Sequence, residues 1–205
     1  MRFGLIYSTP WIYEVVLWFL YRNSIMDRFN AVADEIEIGD VVVDLCAGTS
    51  LLHEVLSDKS VYYKAYDINP VFVKVLRSKG IDAHCCDVER MDIPSADIIT
   101  MSSALYHFYP NCQQFIERMC MNARKKVILV EPVNNHSNSS FHLWGEFARW
   151  MSRVNNKDVP FHFDLQSFNL LLDEVKYETY QRVIIGSGRD MLVIFPGMLN
   201  KYQEE

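Results

Sequence analysis

The sequence is sparing with glycine and lacks the signatures that glycine usually builds. Eight glycines are scattered through 205 residues. Nowhere do they form the G-x-G-x-x-G pattern that brings a backbone close to a pyrophosphate, and the Gly-Lys-Ser/Thr of a P-loop is also absent. There is no C-x-x-C pair. The five cysteines, Cys46, Cys85, Cys86, Cys112 and Cys120, are odd in number. Adjacent Cys85 and Cys86 would point to opposite faces of a strand, which does not suit a metal site. They read as reduced thiols of a cytoplasmic protein. His136, His142 and His162 show no metal spacing with any carboxylate pair, so no metal is expected. No Pro/Gly/Ser-rich linker, low-complexity tract or internal repeat divides the chain. With 50% hydrophobic and 22% charged residues, it reads as one domain with a real core and disorder only at its ends.

Net positive charge is missing as well. At −6 the chain has little to offer a phosphate backbone. Its densest basic cluster, Arg124-Lys125-Lys126, sits at the start of a predicted strand, where a solvated strand end accounts for it. Nucleic acid is therefore disfavoured as a partner. The one long apolar stretch, Gly4 to Tyr21, is interrupted by Pro10 and Glu14 and is followed by no small-residue cleavage site, so neither a signal peptide nor an integral span fits. Ser8-Thr9-Pro10 is a helix start. The helical pattern from Trp11 to about Ile36 is apolar on most sides, as in a helix packed against protein, with peripheral membrane contact as the alternative.

From residue 41 onward, short β-branched runs alternate with helical segments. Strands are expected at Val41–Leu45, Val61–Tyr66, Ile81–Cys85, Asp97–Met101 and Val127–Val130. Helices are expected at Ser50–Ser57, from Pro70 to Gly80, and at Asn111–Ala123. That alternation predicts a doubly wound, mostly parallel α/β sheet with helices on both faces. Two further helices, Ser140–Val154 and Leu165–Glu174, precede strands at Val175–Ile185 and Met191–Phe195. These last two flank Gly186-Ser187-Gly188 as an antiparallel hairpin, bringing the sheet to seven strands.

In such sheets ligands bind beyond the carboxyl ends of the strands, and the polar residues gather there. The first strand runs into Asp44-Leu45-Cys46-Ala47-Gly48-Thr49-Ser50, a sharp turn before a helix whose backbone amides can face a ligand. The second ends in Asp67-Ile68-Asn69-Pro70, the third in Asp87-Val88, the fourth in Ser102-Ser103 before Ala104-Leu105-Tyr106-His107-Phe108, and the fifth in Glu131-Pro132. Asp67 is placed to hold a ribose diol and Asp87 to accept from an adenine amine. One glycine among several carboxylates suits a ligand with a cationic tail better than a pyrophosphate.

In that order VVVDLCAGTS, AYDINP, HCCDVERMD, ADIITMSSALYHF and VILVEP resemble the successive motifs of class I S-adenosylmethionine-dependent methyltransferases, over about residues 40 to 132. The family's first motif is an acidic residue followed by three alternating glycines. Asp44 matches the acid and Gly48 the second glycine, while Cys46 and Ser50 stand at the first and third. The resemblance implies that Asp44, Cys46, Ala47 and Gly48 line the methionine part of the cofactor. It implies that Asp67 holds the ribose, Ile68 packs on adenine, Asp87 and Val88 flank the base, and Ser102 lies near the methionine end. Tyr106 and His107 fall where the family presents its acceptor, and His107 is the candidate for taking a proton from it.

The expectation is thus a methyltransferase with S-adenosylmethionine as cofactor and S-adenosylhomocysteine as product, acting on a small or partly apolar acceptor. Residues 1–35 would be a helical cap, 40–132 the cofactor-binding core, and 133–205 the C-terminal half, with the polar run Asn134 to Ser140 as a candidate lid. The competing reading is a methyltransferase-like binding module without catalysis, which the two replaced glycines favour.

Overall fold

The computed structural model describes residues 26–134, 162–186 and 188–199. The expected helix start at residues 8–10, the bulk of the N-terminal cap, the polar run at 135–140, the helix over 140–154 and Ser187 lie outside the described residues.

A helix over residues 26–34, α1, leads to the first strand, β1 (Val41–Leu45). Then come α2 (Leu51–Val55) with a 3-10 turn behind it, β2 (Tyr62–Asp67), α3 (Pro70–Ser78), β3 (Asp82–Cys85), β4 (Ala96–Ser102), a 3-10 turn at Leu105–Phe108, α4 (Cys112–Asn122), β5 (Ala123–Pro132), α5 (Leu165–Glu174), β6 (Gln181–Ile185) and β7 (Asp190–Pro196). The seven strands form one sheet in the order β3-β2-β1-β4-β5-β7-β6. Neighbours from β3 to β5 are parallel; β7 pairs antiparallel with both β5 and β6. This is the doubly wound α/β sheet with an antiparallel C-terminal hairpin that the alternation predicts. The winding reverses between β1 and β4, which makes their carboxyl ends the switch point where such sheets open a crevice.

The sheet is buried on both faces because successive side chains point opposite ways. Val42, Tyr63, Ile98 and Ile128 pack beneath Val32 and Ile36, Leu52, Val73 and Leu76, under α1, α2 and α3. Val43, Leu45, Ile99, Met101 and Leu129 pack under Ile116 and Met119 of α4 and Phe168 and Leu172 of α5. The central strands are therefore continuous apolar runs rather than alternating ones. Sealing each such aliphatic side chain stabilises the fold by about 1.5–3 kcal/mol.

Chain punctuation sets the strand ends. Asn69 caps α3 by accepting from the Val71 amide at 3.0 Å, with Pro70 in the first helical position, and Gly80 takes φ 80° where the helix stops. Asp164 and Ser167 form a reciprocal capping box at the start of α5. One element is shorter than its pattern suggests: β6 begins at Gln181, not Val175. Val175 and Tyr177 are buried like strand residues, but the Lys176 amide donates to the Glu117 carboxylate at 3.1 Å instead of to a strand. The basic run is spent within the fold. Arg124 pairs with Asp97 at 2.8 Å, Lys125 with Glu37 and Asp40 at 3.0 and 2.7 Å, and Lys126 with Glu35 at 2.8 Å. No helix among the described residues is long and apolar enough to cross a membrane, and the five cysteines are free thiols.

Candidate functional site

The turn after β1 keeps the backbone path of a glycine-rich loop with one glycine. Cys46, Gly48 and Ser50 all lie in the left-handed region, at φ 59°, 58° and 57°. Glycine enters that region freely, whereas a residue with a Cβ pays about 1–2 kcal/mol. The Ala47 amide donates to the Tyr66 carbonyl at 3.1 Å and the Ser50 amide to the Ala47 carbonyl at 2.8 Å, which tightens the loop against β2.

Beneath this loop lies Asp44. Its buried carboxylate accepts from the Tyr63 hydroxyl, which also meets the Ser50 hydroxyl at 2.6 Å. Burial lifts the Asp44 pKa to about 7; the Tyr63 hydrogen bond opposes the rise and the negative charge of Asp67 adds to it. The Cys46 thiol is pushed well up, first by burial and then by the carboxylates of Asp67, Asp44 and Glu131. It therefore stays protonated and is no nucleophile.

Asp67 ties β2 to the same loop. One oxygen accepts from the Gly48 amide at 2.8 Å and the other from the Asn69 amide at 2.7 Å. Burial raises its pKa while these amides lower it. Its carbonyl accepts from the Cys86 amide at 3.0 Å, which draws the end of β3 alongside. Beyond, Asp87 is half-buried; it accepts from the Glu89 amide at 3.2 Å and pairs with exposed Arg90 at 3.4 Å. Ile68 is half-buried beside Asp67. The Val88 side chain belongs to the core, so it has only backbone to offer a ligand.

On the other side of β1, Leu45 pairs with Met101, so Cys46 and Ser102 leave neighbouring strand ends. Tyr106 and His107 follow on the 3-10 turn, their rings 4.2 Å apart, with His162 4.9 Å from Tyr106. His107 still meets solvent as a residue, yet its ring is packed. Desolvation first and His162 second lower its pKa from the ordinary 6.5 to about 4, so at neutral pH it is an uncharged imidazole, with a free lone pair but less basic than an exposed histidine.

Hydrogen bonds thus tie Asp44 through Tyr63 and Ser50 to Ala47, and Asp67 to Gly48, on the loop that also carries Cys46. Ser102, Tyr106 and His107 stand at the adjoining strand end, and Asp87 and Val88 lie farther along the edge. Tyr63 and Arg28, beside the site, carry no sequence signal for it, and Glu131 is legible only as a strand-end carboxylate. Tyr63 shares the Asp44 face of the sheet, a relation legible only once the β1–β2 register is known. Fully buried Glu131 holds the turn before Tyr106, one oxygen accepting from the Ala104 and Leu105 amides at 2.8 and 2.7 Å. Its other oxygen has no hydrogen-bond partner among the described residues. Burial lifts the Glu131 pKa to about 7, against those two amides and the charge of Arg28. Arg28 binds the Ser103 hydroxyl and Asp190. Among the described residues no group of three or more His, Cys, Asp or Glu is arranged to hold a metal ion.

Residues 43–130 match the family model described as a methyltransferase domain. No curated protein matches the sequence. Among solved structures, the chain is similar to one from the complex between a methyltransferase activator and a methyltransferase of Haloferax volcanii, with 11% identity and a TM-score of 0.71 over 96% of this chain and 99% of that one. It is also similar to magnesium protoporphyrin IX methyltransferase from Synechocystis, with 12% identity and a TM-score of 0.65 over 86% and 84% of the two chains. A S-adenosylmethionine-dependent methyltransferase from Aquifex aeolicus gives 14% identity and a TM-score of 0.61 over 86% and 92%. At these identities the likeness is one of fold, and it agrees with the family match over the strands that carry the site. Residues 43–130 thus match a methyltransferase domain, and the chain shares its fold with these methyltransferases.

Proposed function

We propose that the chain binds S-adenosylmethionine across the carboxyl ends of β1 and β2 and methylates a small or partly apolar acceptor held near Tyr106 and His107. The observation that carries this reading is the loop after β1. Two of its three glycine positions hold other residues, and all three keep the left-handed backbone, with Asp67 hydrogen-bonded to Gly48. A domain free to lose the cofactor would have no reason to retain a strained turn of that shape.

The donor set fits the cofactor. Asp44 supplies a carboxylate for an ammonium group, Asp67 carboxylate oxygens for ribose hydroxyls, and Ile68 an apolar surface for a base, while nothing in the loop cradles a pyrophosphate. Cys46, Ala47 and Gly48 would line the methionine part, Ser102 its end, and Asp87 with the Val88 backbone the adenine edge. When bound, S-adenosylmethionine supplies a methyl group already activated on a sulfonium. No protein nucleophile is needed, and positioning does much of the work. Tyr106 would cover the acceptor, and neutral His107 would accept its proton where the acceptor carries one. The Synechocystis neighbour holds S-adenosylhomocysteine, and an O-methyltransferase family 2 protein from Planctomyces limnophilus holds apigenin. Both support a cofactor and an acceptor of these kinds, and the free thiols support a cytoplasmic setting.

Calorimetric titration with S-adenosylmethionine, S-adenosylhomocysteine and NAD tests the cofactor. Micromolar binding of the first two and none of the third is expected, and silence with all three overturns the reading. Release of S-adenosylhomocysteine on incubation with metabolite and lipid extracts tests turnover. Binding without release under any extract would favour the non-catalytic module.

A further inference from the structure

Ser50, Tyr63 and Asp44 form a single hydrogen-bonded chain inside the protein. Tyr63 has one hydroxyl proton and gives it to Asp44. The Ser50 hydroxyl, 2.6 Å away, must then donate to the Tyr63 oxygen. All three residues are buried. Ser50 also occupies the third glycine position in the left-handed conformation, so a residue that costs backbone strain is kept where glycine would cost none. Its hydroxyl contact with Tyr63 is what glycine could not make.

The surroundings leave Asp44 dependent on this chain. From β2 it faces Tyr63 and, at the strand end, the carboxylate of Asp67. From the loop it faces the protonated Cys46 thiol. From β4 its register partner is Thr100, whose buried hydroxyl has no hydrogen-bond partner among the described residues. From α2, His53 packs edge-on against the Tyr63 ring at 5.2 Å. Among the described residues Tyr63 is the one group that offers Asp44 a side-chain hydrogen bond, and it favours the ionised carboxylate against burial and Asp67.

We propose that Tyr63, backed by Ser50, is the positioning residue of the cofactor site: its contact with Ser50 helps hold the left-handed turn that glycine would adopt without strain, and it holds Asp44 charged and oriented, one oxygen engaged and the other presented to the cofactor's ammonium group. The inference rests on the reading that this loop holds S-adenosylmethionine. It assigns Tyr63 an action through Asp44, not a contact with the cofactor. Tyr63 lies on a strand interior that the family resemblance does not mark.

The test is calorimetric titration of the full chain with S-adenosylhomocysteine, which carries the same ammonium group, between about pH 6 and pH 8. Wild type, Tyr63→Phe and Ser50→Ala are compared, with thermal unfolding to establish that each is folded. Wild-type affinity is expected to rise with pH as Asp44 ionises. Tyr63→Phe keeps the ring but loses the hydroxyl. Its affinity at pH 7 is expected to fall roughly ten- to hundred-fold, as for the loss of a hydrogen bond to a charged group, and the midpoint of its pH profile to move up. Ser50→Ala should shift both in the same direction and by less. Unchanged affinity and midpoint in a folded Tyr63→Phe overturn the proposal. So does a uniform loss at every pH with no shift of midpoint, since that is what a packing role alone produces. A wild type that binds S-adenosylhomocysteine at no pH overturns the cofactor reading itself, an outcome distinct from both.

Discussion

Arg28 and Asp190, 162 positions apart in sequence, meet in a buried two-point ion pair, with Nη2 to Oδ1 at 2.8 Å and Nε to Oδ2 at 3.2 Å. Arg28 is 8% exposed and Asp190 1%. The guanidinium also binds the Ser103 hydroxyl just past β4. Three segments distant in the chain, α1, the end of β4 and the start of β7, are thereby fastened at the edge where the acceptor would enter.

Removing one partner should therefore be far costlier than removing both. Arg28→Ala takes the two-point partner from a sealed carboxylate and leaves it the more distant Arg189 guanidinium, at 3.8 Å, and a loss of up to roughly 3–5 kcal/mol is expected. Arg28→Met combined with Asp190→Leu should recover most of it, because the desolvation cost goes with the charges. Urea unfolding of the three proteins measures this. A single variant within about 1 kcal/mol of wild type would mean that the pair is solvated in solution.

Asp67→Ala should weaken S-adenosylmethionine binding more than Asp87→Ala. Asp67 is buried and holds both the Gly48 and Asn69 amides, so its removal loosens the loop as well as the ribose contact. Asp87 is half-buried and paired with exposed Arg90. The loss at Asp67 should be roughly ten- to hundred-fold in affinity. Titration of both variants decides it, and an equal or reversed order would exchange the ribose and adenine ends.

Glu131→Gln should change how stability responds to pH. Burial raises the Glu131 pKa from 4.5 to about 7. Between those values the folded state holds a proton that the unfolded chain has released, so the wild type loses stability as pH rises, by at most about 1.4 kcal/mol per unit from this group. His107, whose pKa is lowered, pulls the other way below 6.5. The difference between the two proteins isolates Glu131. Glutamine keeps an acceptor for the Ala104 and Leu105 amides but does not titrate, so its stability relative to wild type should improve from about pH 5 to pH 7. Parallel curves from chemical unfolding would show that Glu131 is ionised throughout.

Gly197→Ala should destabilise the end of β7. A Cβ there would lie 2.5 Å from the Ala123 carbonyl oxygen and 2.7 Å from the Arg124 carbonyl carbon, both backbone atoms that cannot swing aside. A loss of about 1–3 kcal/mol is expected, as for overpacking, visible as a lower thermal midpoint. An unchanged midpoint would mean that this approach is looser in solution.

The sheet was legible in the sequence because its information is local. Val41–Leu45 and Val127–Val130 are β-branched runs bounded by turn residues, and Asn69-Pro70 and Gly80 mark the two ends of α3, so period and punctuation place the strands without knowledge of their neighbours. The carboxyl-edge carboxylates were legible for the same reason: each stands at the end of its own strand. Where a local signal was shared, it misled. Val175 and Tyr177 read as strand because burial alone selects such residues.

What the tertiary structure decided is everything that depends on which strands lie side by side. Only the β1–β2 register sets Tyr63 beneath Asp44, and only the return of β7 between β5 and β6 brings Asp190 to Arg28. Glycine content likewise left the path of the loop after β1 open, and the fold holds the backbone at Cys46 and Ser50 in the left-handed region. The physical reason is one of range. Propensity and periodicity act over a few residues, whereas buried charge and hydroxyl partners are chosen by desolvation, which forces each polar group to find a partner wherever in the chain the fold provides one.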